Sequence, residues 1–309
     1  MIAAAGANKN EMIDPELTAE HLRNHLHTLT RTLGERSVTT PWNLRKAAEY
    51  IEGFYDQIGI VNRREDYQYG KETVSNVVGE LVSEQEGAET FLIGAHYDSV
   101  ARTVGADDNA SGVAVQLEVA RALAEYSATK PLASQVRFVS FALEEPPAYG
   151  TSAMGSRVYA RKAKQQGERI DGMICLEMVG YTCHQPNCQR YPFPLMFRNY
   201  PERGDYIGIV GNYRSRKFTR ALVQAFKENE ALPVISLTVP WSGYLLPEVR
   251  LSDHASFWDR GYKAVMITDT SFYRNPHYHK SSDTMDKLDY AFLAQLVNSL
   301  VRFFTSVNQ

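Results

Sequence analysis

Apolar residues near the start of the 309-residue chain recur every three or four positions. This spacing places apolar side chains on one face of a helix. It occurs in ELTAEHLRNHLHTL and again in PWNLRKAAEYIEGFYDQIG, with the turn-like segment SVTT between them. We therefore expect two helices, between about residues 16 and 58, to open the fold.

Short apolar runs that end in polar or charged residues dominate the next part of the chain. Five strands are predicted at VNRREDYQY, SNVVGELVS, TFLIGAHYD, QVRFVSFALEE and DGMICLEMVGY. Further strands are predicted at DYIGIVG, LPVISLTV and YKAVMITDT. Helical spacing returns in GVAVQLEVARALAEY, SRKFTRALVQAFKENE and LDYAFLAQLVNSLVRFFTSV.

This alternation of strands and helices predicts an α/β fold with three layers, in which helices cover both faces of a central, mostly parallel mixed sheet. The chain has no repeat, low-complexity tract or linker-like segment, so we expect one domain covering residues 1–309. In such sheets ligands bind beyond the carboxyl ends of the strands. Polar residues at strand ends are therefore the first candidates for chemistry.

Charge and hydropathy exclude two classes of partner. The chain has 33 basic and 36 acidic side chains, a net charge of −3, and no long basic run, so nucleic acid is not an expected partner. It has no uninterrupted apolar stretch of about 18 residues, so no membrane span is expected. The N-terminal segment has neither a basic start nor a signal-length apolar run. We expect a cytoplasmic protein, or an exported one whose signal is absent from this chain.

Three cysteines leave two interpretations open. Cys175 lies in an apolar run, whereas Cys183 and Cys188 flank His184 in TCHQPNC. A short disulfide loop and two free thiols fit this spacing equally well. A structural zinc site is less favoured because its usual four ligands are not found together. A disulfide would favour an oxidising compartment.

Two pairs of polar residues lie beside the third predicted strand. His96 and Asp98 close that strand and point to the same side, where a carboxylate can orient a metal-bound imidazole. Such a pair also occurs in proteins without metal. Asp107 and Asp108 precede a helix, and capping that helix explains one of these acids. The second acid favours a nearby cation, unless exposure to solvent relieves the repulsion.

Adjacent acids end another strand. Glu144 and Glu145 follow a strongly apolar run, and a bend at Pro146 and Pro147 could turn both side chains into one cleft. One carboxylate could then bind a metal while the other removes a proton from water as general base. The alternative interpretation is a solvated turn.

The remaining candidates lie in the second half of the chain. Glu177 follows the apolar residues MICL, where an unpaired acid is costly. His254 lies in SDHASFW, where a core or capping role is the default. His277 and His279 fit either ligation or, together with Asp283, a hydrogen-bonded scaffold.

Taken together, these residues favour a metal site. Imidazole and carboxylate ligands without thiolates, spread over several strand ends, suit zinc in a catalytic site. A carboxylate-rich set with only two histidines also suits a pair of metals about 3.5–4 Å apart that share one bridging acid.

The chain resembles a family of zinc aminopeptidases that also includes glutaminyl cyclase and glutamate carboxypeptidase. The motifs that carry the resemblance cover about residue 75 to the C-terminus, and they are GAHYDSV, GADDNASG, ALEEP, LEMVGY, SDHASFW and HYHKSSDT. The resemblance implies a zinc-exopeptidase-like fold and two Zn²⁺ ions. His96 and Glu177 would bind one ion, Glu145 and His254 the other, and Asp108 would bridge them.

The resemblance also implies roles around the metals. Glu144 would be the general base, Asp98 would orient His96, and Asp253 would give similar support. His279 would border the substrate pocket and stabilise the developing oxyanion. The pocket rim could draw on several aromatic residues, namely Tyr244, Phe257, Trp258, Phe272 and Tyr278.

The implied activity is release of N-terminal amino acids from peptides with a free N-terminus, by a metal-activated water. Two alternatives on the same fold are glutaminyl cyclisation and carboxypeptidase activity. The latter needs a cationic pocket, for which Arg198, Arg250 or Arg274 could serve. The loop before Gln189 and Arg190 departs from the family pattern, so we expect a substrate specificity that differs from that of other members.

Overall fold

The computed structural model describes residues 13–193 and 200–306, and an eight-stranded mixed sheet forms its centre. The strands lie in the order β1-β2-β4-β3-β5-β8-β6-β7. Their bounds are β1 Val61–Tyr69, β2 Glu72–Leu81, β3 Thr90–His96, β4 Gln135–Phe141, β5 Gly172–Leu176, β6 Ile207–Asn212, β7 Val234–Val239 and β8 Ala264–Thr268.

Parallel pairing dominates the middle of the sheet. β4, β3, β5 and β8 are consecutive parallel neighbours, and β6 pairs in parallel with β7. The pairs β1 with β2, β2 with β4, and β6 with β8 are antiparallel. β3, β5 and β8 are buried along almost their whole length, as expected for parallel strands covered on both faces. The predicted mostly parallel mixed sheet is confirmed.

Seven α-helices cover the described part of the sheet. Their bounds are α1 Pro15–His27, α2 Pro41–Gln57, α3 Gly112–Ser127, α4 Gly155–Gln165, α5 Arg216–Lys227, α6 His254–Asp259 and α7 Tyr290–Thr305. The two helices predicted at the start of the chain are α1, which continues as a wider turn over Thr28–Leu33, and α2. None of the helices in the described ranges has the length and apolar character needed to cross a membrane.

Alternate residues of each central strand belong to different apolar clusters, as β5 shows. Ile174 and Leu176 pack in the larger cluster with α1, α2, α3, α5 and α7. Met173 and Cys175 pack in the smaller cluster with α4 and α6. Because successive strand residues point to opposite faces, these clusters are the two sides of one sheet. The three-layer prediction is therefore confirmed.

Cys183 and Cys188 are joined in a disulfide, with their Cα atoms 6.2 Å apart. Of the two open interpretations, the structure has the disulfide loop rather than the free thiols. The backbone of Cys183 also pairs with that of Gly204 in both directions at 2.9 Å. The loop is thus tied to the chain segment that leads into β6. Arg198, one of the cations considered for a carboxypeptidase, lies outside the described residues.

The carboxyl ends of β3, β4 and β5 lie side by side because these strands are parallel neighbours. β3 ends at His96, β4 leads to Glu144 and Glu145, and β5 leads directly to Glu177. Asp108 lies in a turn, Ala106–Ser111, immediately before α3. The sheet topology thus brings most of the predicted site residues to one edge.

Candidate metal centre

The first group of metal-ligating atoms comes from His96, Asp108 and Glu177, all of which are buried. His96 Nε2 lies 3.4 Å from Asp108 Oδ1 and 3.4 Å from Glu177 Oε2. The Ser252 hydroxyl donates to Glu177 Oε2 at 2.6 Å. Three convergent donor atoms on separate elements are therefore held together in the interior.

A second group consists of Asp108, Glu145 and His279. His279 Nε2 lies 3.2 Å from Asp108 Oδ2 and 3.4 Å from Glu145 Oε2. Asp108 therefore presents one carboxylate oxygen to each group, Oδ1 to His96 and Oδ2 to His279. This is the arrangement required of an acid that bridges two metal ions.

Two features of the donor groups fit divalent ions: the distances between the donor atoms, and the presence of buried polar atoms without hydrogen-bond partners. Ligands bound about 2.0–2.1 Å from a tetrahedral ion lie about 3.3–3.4 Å apart, close to the spacings in both groups. In the described residues, both ring nitrogens of His96 and Glu145 Oε1 are buried without a hydrogen-bond partner. Buried polar atoms are normally satisfied, so these atoms call for a ligand. An ion in the first group would satisfy His96 Nε2, and one in the second group would bind the Glu145 carboxylate, whereas His96 Nδ1 faces Asp98.

Electrostatics in the cluster point the same way. Burial, and then the charge of Asp108, raise the pKa of Glu145 to about 8. Burial also raises the pKa of Glu177. For Asp108 burial alone would raise the pKa, but the adjacent imidazoles of His279 and His96 hold it below its usual range. The cluster therefore needs protons or cations to balance its charge.

Glu144 lies beside both groups but belongs to neither. Its Oε2 is 3.9 Å from His96 Nε2, and its side chain lines the adjoining cavity. Burial raises its pKa well above the usual value, and the nearby charges of Glu177 and Glu145 add to the increase. A carboxylate with a raised pKa, next to the ligands but outside them, suits a general base.

Asp98 holds the two glutamates in place. Its Oδ1 and Oδ2 accept hydrogen bonds from the backbone N–H groups of Glu144 and Glu145, each at 3.0 Å. Oδ1 also lies 3.5 Å from His96 Nδ1. Both glutamates line one cavity, as the predicted bend required. Asp98 therefore sets the direction of the chain after β4, in addition to facing His96.

His254 is not brought to either donor group. Its Nε2 lies 2.7 Å from the carbonyl oxygen of Val249, and its ring meets the Trp258 ring edge-on with centroids 4.4 Å apart. Burial lowers its pKa to about 4, so the imidazole is neutral at neutral pH and Nε2–H donates to that carbonyl. His254, which was expected to bind the second ion together with Glu145, therefore lies outside both donor groups of the described residues, whereas His279, expected to act on the oxyanion, lies in the second group.

Asp283 explains why His279 reaches the cluster. Its carboxylate accepts the backbone N–H of Asp107 at 2.9 Å and of Asp108 at 3.1 Å. The loop that carries His279 is therefore tied to the loop that carries Asp108. The sequence signal for this contact is the acid in HYHKSSDT, whose pattern by itself indicates only a hydrogen-bonded scaffold for the histidines.

Two other candidate residues, Asp107 and His277, have hydrogen-bond partners in the neighbouring loops. Asp107 accepts hydrogen bonds from the N–H of Gly180 at 2.9 Å and from Asn275 Nδ2 at 2.6 Å, so it supports the loops and is in neither donor group. His277 Nδ1 lies 2.9 Å from the Ser282 hydroxyl. Asp253 is fully buried, and its supporting role stays a prediction.

A cavity of about 310 Å³ opens from the carboxylate cluster along the face of β6, β7 and β8. Its walls include the apolar side chains of Ile209, Ile235, Leu237, Leu246 and Met266. Of the aromatic residues expected at the rim, Phe272 and Tyr278 line it, whereas Phe257 and Trp258 are in the core and Tyr244 is exposed. The volume is typical of a small-molecule or side-chain pocket.

Tyr278 lines the same cavity as the second donor group. Its ring stacks on His279 with centroids 3.8 Å apart. Burial raises the pKa of its hydroxyl, and the four neighbouring carboxylates of the cluster add to the increase. The hydroxyl therefore stays protonated and can donate a hydrogen bond into the cavity.

A family model described as peptidase family M28 matches residues 76–304. The chain belongs to this family. The M28 chain is 37% identical over 290 residues to an uncharacterised protein of Escherichia coli, YfbL, covering 91% of this chain and 86% of the other. It is 27% identical over 238 residues to a probable leucine aminopeptidase of Arthroderma otae, covering 74% of this chain. The match spans only 56% of that longer relative.

Solved structures support the M28 fold. The LapA aminopeptidase of Legionella pneumophila superposes with a TM-score of 0.69 at 21% identity, covering 97% of this chain and 76% of that one. The zinc aminopeptidase BSAP of Bacillus subtilis superposes with a TM-score of 0.68 at 15% identity, covering 92% of this chain and 93% of that one. Glutaminyl cyclase of Porphyromonas gingivalis superposes with a TM-score of 0.67 at 17% identity, covering 95% of this chain and 98% of that one. At these identities the likeness concerns the fold alone.

Proposed function

We propose that this M28 chain is an aminopeptidase with two zinc ions in one site. The observation that carries the proposal is that Asp108 offers one oxygen to each of two donor groups. His96 and Glu177 would complete one site, and Glu145 and His279 the other. The donor set of imidazoles and carboxylates suits catalytic zinc, and names among the relatives and neighbours include leucine aminopeptidase and zinc aminopeptidase.

When bound, the two ions would supply Lewis-acid chemistry and allow a water to be deprotonated near neutral pH. Glu144 would accept the proton of that water and pass it to the amine that leaves from the scissile bond. Tyr278, which lines the cavity, would donate a hydrogen bond from its hydroxyl to the oxygen of the carbonyl under attack. Asp98 would keep Glu144 aligned through its backbone N–H.

The cavity suits the first residue of a peptide. Its lining is rich in carboxylates, which attract a positively charged free amino group. Its walls along β6 and β7 are apolar and can enclose a side chain. A peptide blocked at the N-terminus would lose the attraction and crowd the cluster.

Matched peptides test the proposal. Leu-Gly-Phe, its N-acetylated form and its C-terminal amide are incubated with the protein, with and without a chelator and with zinc restored. We expect release of leucine from the free and amidated peptides only, lost on chelation and regained with zinc. Release of phenylalanine from the acetylated peptide would instead indicate a carboxypeptidase, and metal-independent release would contradict the proposal.

The cyclase alternative is separated by its product. A peptide that begins with glutamine is expected to release free glutamine. Formation of ammonia and a pyroglutamyl peptide would assign the site to cyclisation and overturn the aminopeptidase proposal.

A further inference from the structure

The lining of the cavity beside the carboxylate cluster also includes one exposed basic residue, Arg190. Within residues 13–193 and 200–306, no other lysine or arginine lines this cavity. The Arg190 backbone N–H donates to the carbonyl oxygen of Tyr273 at 2.8 Å, and its own carbonyl accepts from Gln189 Nε2 at 2.9 Å. These bonds hold the Arg190 backbone against the turn that follows β8, on the cavity wall.

The side chain of Gln189 further fixes the position of the Arg190 backbone. It is buried, and its Nε2 also donates to Thr270 Oγ1 at 2.8 Å. Its Oε1 accepts from Arg274 Nε at 2.9 Å. The position of Arg190 is therefore set by a buried amide that is fully engaged, rather than by a freely moving surface loop.

Two of the three arginines considered for carboxylate binding, Arg250 and Arg274, already have partners in the described residues. Arg250 pairs with Asp259 at 2.7 Å and donates to the carbonyl oxygen of Ser242 at 2.6 Å. Arg274 is buried and bonds Gln189. In contrast, no carboxylate of the described residues lies within 4.0 Å of the Arg190 guanidinium. Its donors are available to a molecule in the cavity.

The negative charge of the cavity lining means that an anionic group of a substrate would need a cationic partner such as Arg190. Five carboxylates line the cavity, namely Asp108, Glu144, Glu145, Glu177 and Glu248. They would repel an anionic group of a substrate unless a cation lay beside it. A guanidinium matches a carboxylate with two parallel N–H donors, which gives direction as well as attraction.

We infer that Arg190 is a specificity-determining residue that binds a carboxylate of the peptide substrate. The inference rests on the proposed aminopeptidase function. Two parts of a peptide carry this chemistry: an acidic side chain, and the C-terminal carboxylate of a short peptide. Both present the same planar carboxylate. Pairs of substrates that have the same shape but differ in the charge at one of these two places distinguish the two sources.

The test compares ratios of kcat/KM within two substrate pairs. The first pair is Glu-p-nitroanilide and Gln-p-nitroanilide, which differ only in side-chain charge. The second is Leu-Ala and Leu-Ala-amide, which differ only in terminal charge. Arg190→Met is expected to lower the charged-to-neutral ratio about fivefold in one pair, the value of a partly exposed ion pair. The affected pair identifies the source of the carboxylate.

Three controls sharpen the result. Arg190→Lys is expected to retain part of the preference for the charged substrate, because lysine keeps the positive charge but loses the paired donors. Glu248→Gln, on the same cavity wall, is expected to raise the ratio by removing an opposing charge. Salt raised from about 0.1 M to about 1 M is expected to lower the wild-type ratio and leave that of Arg190→Met unchanged.

Two failures have different meanings. Chelator-sensitive release with equal ratios in the wild type and in Arg190→Met, for both pairs, overturns the role of Arg190 and leaves the aminopeptidase proposal intact. Absence of chelator-sensitive release from every substrate overturns the aminopeptidase proposal, and the inference about Arg190 with it.

Discussion

His279 Nε2 lies 3.2 Å from Asp108 Oδ2, on the side of the carboxylate that faces away from His96. We predict that His279→Ala lowers zinc content from about two ions to about one per chain, because one donor group loses its imidazole. Elemental analysis of the purified variant measures this. His254→Gln is the matched control and should keep both ions. Loss of an ion in the control instead would reverse our assignment of the two histidines.

Glu144 has the position and raised pKa of a general base without being in a donor group. Glu144→Gln keeps the shape of the side chain but cannot accept the proton. We expect kcat to fall about 10²–10⁴-fold while zinc content is unchanged. Turnover and metal analysis of the same preparation provide the check. Activity near the wild-type level would remove Glu144 from the mechanism.

Tyr278 is predicted to act on the carbonyl oxygen rather than on metal binding. Tyr278→Phe deletes only the hydroxyl and retains the ring that stacks on His279. The expected result is a loss of about a hundredfold in kcat with little change in KM and full zinc content. If KM rises while kcat is kept, the hydroxyl serves ground-state binding instead.

Asp98 accepts two backbone N–H groups with its two oxygens. In Asp98→Asn one oxygen is replaced by an amide group, which cannot accept a hydrogen bond, so one glutamate loses its anchor. We predict a loss of about 10–100-fold in zinc affinity or activity, the usual cost of disturbing groups that orient metal ligands. Zinc titration with a competing chelator measures the affinity. Wild-type affinity together with wild-type kcat would show that these bonds are dispensable.

A buried ion cluster far from the candidate metal centre should control acid stability. Burial would raise the pKa of Glu118, but hydrogen bonds from His25 and Arg121 lower it to about 2. The usual value is 4.5, so this contribution to stability is complete above that pH and is lost as pH falls towards about 2. Chemical unfolding between pH 7 and 2 should show this decline.

Glu118→Gln should lower the free energy of unfolding at pH 7 by about 3 kcal/mol and flatten its decline in acid. The matched control is Glu125→Gln on the same helix, which removes an exposed partner of Arg121 and should cost less than about 1 kcal/mol. An equal loss in both variants would contradict the importance of burial.

Much of the fold and the centre could be predicted from local sequence. Strand-length apolar runs ending in acid indicated that His96, Glu144, Glu145 and Glu177 belong to strand ends. Parallel strands place such ends at one edge, so their convergence followed from the pattern. The choice between a disulfide and free thiols did not, because the same short spacing permits both.

Which histidine lies in the second donor group depends on contacts between distant parts of the chain. His254 and His279 both lie in motifs of the family, and neither spacing nor composition distinguishes them. The decision depends on Asp283, which binds the backbone N–H of Asp108 although the two residues are 175 positions apart. Contacts at such separation are set by how loops pack on the finished sheet. Local sequence was therefore enough to predict the chemical types of the candidate ligands and the strand ends near which most of them lie, whereas the packing of loops selected which residues converge.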